Sequence, residues 1–338
     1  MKSIQKTAAI IGGLSIRLIN YICRKGRCNL KFEHKPVLLN ECIGGLNIKL
    51  DGIYVDGTLG GAGHSKKILE NLSSSGLLIG IDRDEDALKA AKDNLKDYKN
   101  VKFVHSNHDN IKQILENLNI NQVDGILLDL GVSSYQIDES SRGFSYLKDD
   151  DLDMRMDKTM QLTAKEVVNS YSEEKLIKIF YDYGEEKFSK QIAKNICEYR
   201  KSKQIETTLE LVSIIEKSIP GFAKKEGHPA KRVFQAIRIE VNNEIEPLYN
   251  TIKDCIRCLS SKGRLCVITF HSLEDRAVKN AYNDSIGKCT CPKDLPYCVC
   301  NNQCLGKIIN KKPIIANKEE QEVNSRSKSA KLRIFEKI

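Results

Sequence analysis

The chain has 338 residues, 41% of them hydrophobic, enough for a large buried core and with room for two domains. Its 54 basic against 45 acidic residues give a formal charge of +9, which suits a polyanionic partner such as nucleic acid but is too mild to prove one. No run approaches the roughly eighteen apolar residues of a membrane span, and most of the twelve cysteines are scattered singly in apolar or helical contexts. The composition therefore argues against a membrane-embedded protein and a secreted disulfide scaffold, and for a reducing compartment.

Residues 1–32 carry seven Lys or Arg and no acidic residue, with an apolar patch from Ala8 to Leu14 interrupted only by glycine. A secretory signal fits poorly, because the patch is short and runs into Arg17 without a small-residue cleavage site. An organelle transit peptide and an extension without function both fit, so a cytoplasmic location is expected, with an organelle as the alternative. From His34 onward strands and helices alternate, as a doubly wound α/β sheet requires. Strands are expected at Ile53 to Asp56, Leu77 to Asp82, Val101 to His105 and Val123 to Leu130, separated by helices at His64 to Leu72, Asp84 to Leu95 and Ile111 to Leu118. The Ile-Leu-Leu run of the fourth strand indicates cover on both faces.

The alternation stops at Gly131, and between about Gly143 and Glu226 capping boxes at Thr163 with Glu166 and Thr207 with Glu210 mark a helical insertion. The α/β pattern resumes with a helix from about Lys231 to Lys253 or beyond and a strand from Arg264 to Phe270. A helix with Ser272 as N-cap and Asp275 three residues later follows, and a last strand lies near Leu332 to Phe335. Residues 285–330 read as loop. The expected organisation is a basic extension (1–32), a first part of the α/β domain (33–142), the helical insertion (143–226), and a second part (227–338) containing a cysteine-rich loop at 289–304.

The chemistry-bearing motif is Tyr54-Val-Asp-Gly-Thr-Leu-Gly-Gly-Ala-Gly-His64, followed by an apolar run that ends at Asp82, nineteen positions after Gly63. Glycines that turn the chain sharply out of a buried strand, with an acidic residue at the tip of the next strand to accept ribose hydroxyls, form a nucleoside-binding signature. A dinucleotide would need Gly-x-Gly-x-x-Gly. Reading from Gly61 puts Lys66 at the third glycine, and reading from Gly57 puts Leu59 at the second, so a nicotinamide dehydrogenase is disfavoured. Glycines bunched late in the loop suit a ligand without phosphates, such as S-adenosylmethionine.

Asp129 follows the fourth strand, at the sheet edge where ligands sit, and can accept a hydrogen bond from an amine of cofactor or substrate; an Asx-turn with Ser133 is the alternative. His64 is either a ligand contact or a helix-start histidine, and His271 either touches substrate or caps a turn. No Gly-x-Ser-x-Gly elbow is present, which argues against a Ser-His-Asp hydrolase. The segment His228 to Arg238 opens a helix with a core stripe of Phe234, Ile237 and Val241. Its Lys231, Arg232 and Arg238 could reach phosphates, as could Arg142, Arg155, Arg326, Lys328 and Lys331, or stand as solvated charges. Cys289, Cys291, Cys298 and Cys300 supply enough thiolates for a structural zinc, against an unmetallated loop.

With these segments the chain resembles the bacterial RsmH (MraW) family, the 16S rRNA cytosine N4-methyltransferases. The resemblance runs from His34-Lys-Pro-Val-Leu-Leu39 to Ala330-Lys-Leu-Arg-Ile334. It takes in the Asp56 to His64 loop, Ile81-Asp-Arg-Asp84, Asp124 to Ser134, Arg142-Gly-Phe-Ser145, Leu152 to Asp157, Tyr183 to Glu186, His228 to Arg238 and Phe270 to Arg276. It implies a class I, Rossmann-like methyltransferase sheet with an inserted helical domain, S-adenosylmethionine as cofactor, and small-subunit rRNA as partner. The implied activity is methylation of a decoding-centre cytosine at N4, by a monomer or homodimer; a non-catalytic rRNA-binding or assembly factor that keeps the fold is the alternative. Positions matching the family's cofactor contacts are Ala62, Gly63, His64, Asp82, His108, Asp129 and Gln136, with His108 where the family often has an aromatic. Asp129 is the candidate to accept from the cytosine amine, Phe144 or Tyr146 to stack on a splayed base, and Arg142, Arg155, Lys231, Arg232, Arg238 and His271 to line the RNA side.

Overall fold

The computed structural model describes residues 36–133, 136–137, 142–221, 228–287, 291 and 303–338. Continuous apolar runs with few polar breaks make buried strands, and the chain forms them at β1 (Ile53–Asp56), β2 (Leu77–Asp82), β3 (Val101–His105), β4 (Val123–Asp129), β5 (Leu259–Thr269), β6 (Gly306–Ile308) and β7 (Lys331–Lys337). They hydrogen-bond in the order β3-β2-β1-β4-β5-β7-β6, parallel through β5 and antiparallel at β7 and β6. Strand order reverses between β1 and β4, the switch point where an open α/β sheet leaves a crevice at the carboxyl ends of its strands.

Alternate residues face opposite layers. Val55, Ile79, Ile126, Leu128, Leu265 and Val267 pack with α4 (Ile111–Asn117), α10 (Leu248–Cys258) and α11 (Ser272–Ser285). Tyr54, Leu78, Leu127, Cys266 and Ile268 pack with α1 (Leu39–Leu46), α2 (Gly63–Leu69) and α3 (Glu85–Asn94) on the other face. A third core belongs to the helical layer of α5 (Ala164–Ser170), α6 (Glu173–Asp182), α7 (Ser189–Arg200), α8 (Thr208–Ser218) and α9 (Ala230–Asn242), and the Phe234, Ile237 and Val241 stripe packs into it. Both expected capping boxes form, at Thr163 with Glu166 and at Thr207 with Glu210.

Several expectations are corrected. The long helix expected from Lys231 is two, α9 and α10, because Asn243 takes a left-handed conformation (φ 47°) and Pro247 starts the next helix. The N-cap of α11 is His271, boxed with Glu274, not Ser272 with Asp275; the Asp275 carboxylate instead pairs with Arg333 at 2.6 and 3.0 Å. Strand β5 starts at Leu259, five residues before Arg264. Residues 285–330, read as loop, contain β6, α12 (Lys318–Val323) and a 3-10 turn at Ser325–Ser329. Too short to show a period, these pieces are held by neighbours, β6 through its pairing with β7.

Candidate active site

The carboxyl ends of β1, β2 and β4 converge. Asp56 pairs in register with Gly80 and Leu127, so β2 and β4 each run two residues further and carry Asp82 and Asp129 to the rim of the crevice. Between β1 and α2 the Gly loop folds over this edge, with Gly57 N–H donating to the Leu127 carbonyl at 2.9 Å and Leu59 N–H to that of Ile81 at 3.0 Å. Ala62, the residue before α2, is left-handed at φ 62°, a conformation that costs a non-glycine residue free energy and that clusters at functional sites.

The three strand-end carboxylates differ in their partners. Asp56 accepts from Ser65 Oγ at 2.7 Å and Thr58 N–H at 3.2 Å and so braces the loop from within. Asp82 accepts from Gly60 N–H at 2.8 Å and Asp84 N–H at 2.9 Å, which fixes its carboxylate at the tip of β2. Asp129 has no such support: its Oδ1 is buried without a hydrogen-bond partner, and its Oδ2 lies 3.8 Å from His64 Nδ1. Burial pushes all three up to about 6, opposed at Asp129 by His64 and reinforced there by Asp56 and Glu274.

His64 is buried at the start of α2, with Nε2 3.0 Å from the Val37 carbonyl. A carbonyl only accepts, so Nε2 carries a hydrogen, and Nδ1 on the other side of the ring faces Asp129. Across the rim lies a narrow open cleft lined by Arg83, Asn107, His108, Leu130, Gly131 and Glu274, among others. Burial drives the His108 imidazole down to about 4 against the pull of Asp109, leaving a neutral flat ring on the wall, and Asn107 Oδ1 is buried there without a partner. Gln136 is buried and bonds Asp84 Oδ2 through Nε2 at 2.7 Å and the Ser133 N–H through Oε1 at 3.0 Å. Ala62, Gly63, His64, Asp82, His108, Asp129 and Gln136 thus all stand on the rim, the loops beside it or the turn that braces it.

The residues expected to grip RNA fare differently. The guanidinium groups of Arg142, Arg155 and Arg238 are each engaged by acceptors within the protein. Arg142 is buried against Asp84 at 2.7 Å and the Met156 carbonyl at 2.8 Å. Arg155 is held by Asp153 at 2.7 and 2.9 Å, and Arg238 by both Glu244 oxygens at 2.9 Å. His271 caps α11, accepting from Glu274 N–H through Nδ1 with its Nε2 3.1 Å from Glu274 Oε1. Phe144 packs on the helical core with the Arg142 guanidinium 5.6 Å from its ring centre, and Tyr146 is stacked on His228 at 4.5 Å. Lys231 and Arg232 are exposed on the first turn of α9. Cys289, Cys298 and Cys300 lie outside the described residues, so only Cys291 of the expected zinc set is described.

The model of the MraW methylase family matches residues 31–338. The chain belongs to that family. It is 60% identical over 309 residues, 91% of this chain and 100% of the relative, to the ribosomal RNA small subunit methyltransferase H of Clostridium botulinum strain Kyoto. The protein of the same name from strain Loch Maree is 59% identical over the same span. A solved chain described as an rRNA methylase from Streptococcus thermophilus has a TM-score of 0.40 at 11% identity, covering 89% of this chain and 93% of that one.

For this member of the MraW methylase family, reading the sequence missed Asp84, Asn107 and Asn242 as residues that shape the site. Asp84 lies in the Ile81 to Asp84 segment already singled out, and its position two residues past a ribose-type acid was an available signal. Asn242 joins the site only through folding. Its side chain accepts from Met156 N–H and donates to the Met154 carbonyl, both at 2.8 Å and both more than eighty residues away in sequence.

Proposed function

We propose that this methylase transfers a methyl group from S-adenosylmethionine to the exocyclic N4 of a decoding-centre cytosine in small-subunit 16S rRNA. The observation that carries the reading is Asp129 Oδ1, a buried carboxylate oxygen without a partner at the carboxyl end of β4, beside the Gly loop and Asp82. An acceptor that is buried and unsatisfied carries a free-energy cost unless a ligand supplies the donor.

The residues fit an adenosyl cofactor. Asp82, with its carboxylate fixed by two backbone donors, would accept the ribose hydroxyls, and the neutral His108 ring would pack against the adenine while Asn107 Oδ1 accepts from an amine. Ala62, Gly63 and His64 would line the remainder, with Gln136 held in place by Asp84. When bound, S-adenosylmethionine supplies a methyl group already electrophile enough to react, so the chain has chiefly to orient the acceptor. Cytosine N4 is a poor nucleophile because its lone pair is delocalised into the ring. Asp129 Oδ1, accepting one N4–H, would localise that pair and hold the proton afterwards, and its lifted basicity, near 6, suits the task at neutral pH. Lys231 and Arg232, exposed at the start of α9, supply positive charge for the RNA backbone.

The deciding experiment incubates the protein with labelled S-adenosylmethionine and small subunits lacking the modification, followed by nucleoside analysis. N4-methylcytidine is the expected product; its absence, with label elsewhere or nowhere, would defeat the proposal. The structural zinc suggested by cysteine spacing is retained as a separate proposal, tested by metal analysis of the purified protein, with about one equivalent expected.

A further inference from the structure

The strap from Arg142 to Met156 leads from the cofactor side into the helical layer, exposed at Leu147 to Asp149 and tied down at its ends. Asp84, two residues past Asp82, is the junction. Its Oδ2 accepts from Arg142 Nη1 and from Gln136 Nε2, both at 2.7 Å, its Oδ1 accepts from Asp86 N–H at 3.1 Å, and its own N–H donates to Asp82 Oδ1 at 2.9 Å. The other arm of Arg142, Nη2, donates to the Arg155 and Met156 carbonyls, and the Arg142 carbonyl accepts from Met154 N–H at 2.8 Å. Asp84 and Arg142 side chains are only 2% and 8% exposed.

The far end of the strap is tied as well. Asn242, at the end of α9, bonds Met154 and Met156, and its carbonyl accepts from Arg83 Nη1 at 3.1 Å. Arg83 and Asp84 are adjacent in the turn after β2, so one turn holds the strap at both ends, once through Arg142 and once through Asn242. Between the ties the backbone takes conformations that need holding. Met154 is left-handed at φ 59°, and Gly143, at φ 73°, sits where a Cβ would come within 2.2 Å of the Asp151 carbonyl oxygen.

We infer that the buried Asp84–Arg142 pair is a latch through which the strap holds Asp82 and Gln136 in cofactor-binding geometry, making Arg142 a positioning residue for the reaction. The inference rests on the cofactor reading proposed above. Burying two charges is costly, and an apolar pair of similar volume would serve stability as well, so stability alone does not account for the pair. What an apolar pair would not supply is direction: Asp84 Oδ2 accepts from Arg142 and from Gln136 at once, so one carboxylate oxygen fixes the strap and Gln136 against each other. Arg142 itself lies outside the cleft lining, and it acts through Asp84.

The test is calorimetric titration of the full chain with S-adenosylhomocysteine, together with steady-state kinetics. Arg142→Lys keeps the charge but cannot bridge Asp84 and two carbonyls at once. It is expected to weaken S-adenosylhomocysteine by roughly tenfold or more and to raise KM for the cofactor, with kcat recovered at saturation. The double variant Asp84→Asn with Arg142→Gln leaves no unpaired buried ion and keeps the test open if the single change folds poorly; the same weakening is expected. Arg155→Gln is the control, since Arg155 pairs with Asp153 inside the same strap, and its affinity is expected to stay within about twofold. Wild-type affinity in both latch variants, or equal weakening in Arg155→Gln, would overturn the latch. Failure of the unaltered protein to bind S-adenosylhomocysteine would overturn the cofactor reading, and the latch with it.

Discussion

The rim of the sheet and the strap beside it are both rich in charge, yet they treat it in opposite ways. At the rim, burial pushes Asp56, Asp82 and Asp129 up to about 6, and Asp129 keeps an oxygen with no partner at all. Around the strap, Arg155 and Lys158 hold Asp153 and Asp86 below the ordinary carboxylate range, and Arg142 and Arg238 are matched to Asp84 and Glu244. The rim keeps an open acceptor at Asp129, whereas in the strap the carboxylates and guanidinium groups are mostly matched, Arg142 Nε and Asp150 Oδ2 being its buried polar atoms without a partner. The contrast separates the residues that hold the site from those that face the reaction.

The strongest way to break the comparison is Asp129→Asn. It is expected to lower kcat by about 10²–10⁴-fold, the range of a lost general base, and to abolish the acidic limb near pH 6 that is expected of the unaltered protein at saturating cofactor. The same change is expected to raise the thermal midpoint of the ligand-free protein at pH 7. Because the folded-state pKa lies above the unfolded value, the carboxyl favours folding when protonated, and that contribution is lost as pH rises through about 6. A loss of stability with activity retained would mean Asp129 belongs to the frame.

Asn242→Ala attacks the frame instead. Leaving Met156 N–H and the Met154 carbonyl without partners in the interior is expected to cost about 2–4 kcal/mol in denaturant unfolding. An unchanged midpoint would show that the strap does not need its second tie. Asp82→Ala is expected to weaken S-adenosylhomocysteine by roughly tenfold to a hundredfold in calorimetry, the effect of losing a charged acceptor. Arg232→Ala is the smallest: RNA affinity drops modestly, the salt slope falls by about one, and cofactor affinity is unchanged. If RNA affinity and its salt dependence stay as they were, the exposed face of α9 is not the RNA contact.

Much of the cofactor half was legible in the chain. Strand ends at Asp56, Asp82 and Asp129, the late-bunched glycines and both capping boxes depend on local pattern, and local pattern survives in a sequence. The chain alone does not separate residues of one type that have different partners. Arg142, Arg155 and Arg238 look like Lys231 and Arg232 in a sequence, and only the positions of Asp84, Asp153 and Glu244 tell them apart. The break between α9 and α10 was missed although Asn243 and Pro247 announce it, because the apolar periodicity continues across both helices.

By itself, then, the sequence determined six of the seven described strands, the nucleoside-binding edge, the loss of the dinucleotide pattern and a resemblance to a methylase family, all properties of segments a few residues long. Only the tertiary structure decided which charges are free. That outcome depends on partners brought together from 58 positions apart at Arg142 and Asp84 and 86 at Asn242 and Met156. A charge is neutralised, or left to act, by what lies within a few ångströms of it, and short-range electrostatics follows distance in space, not distance along the chain.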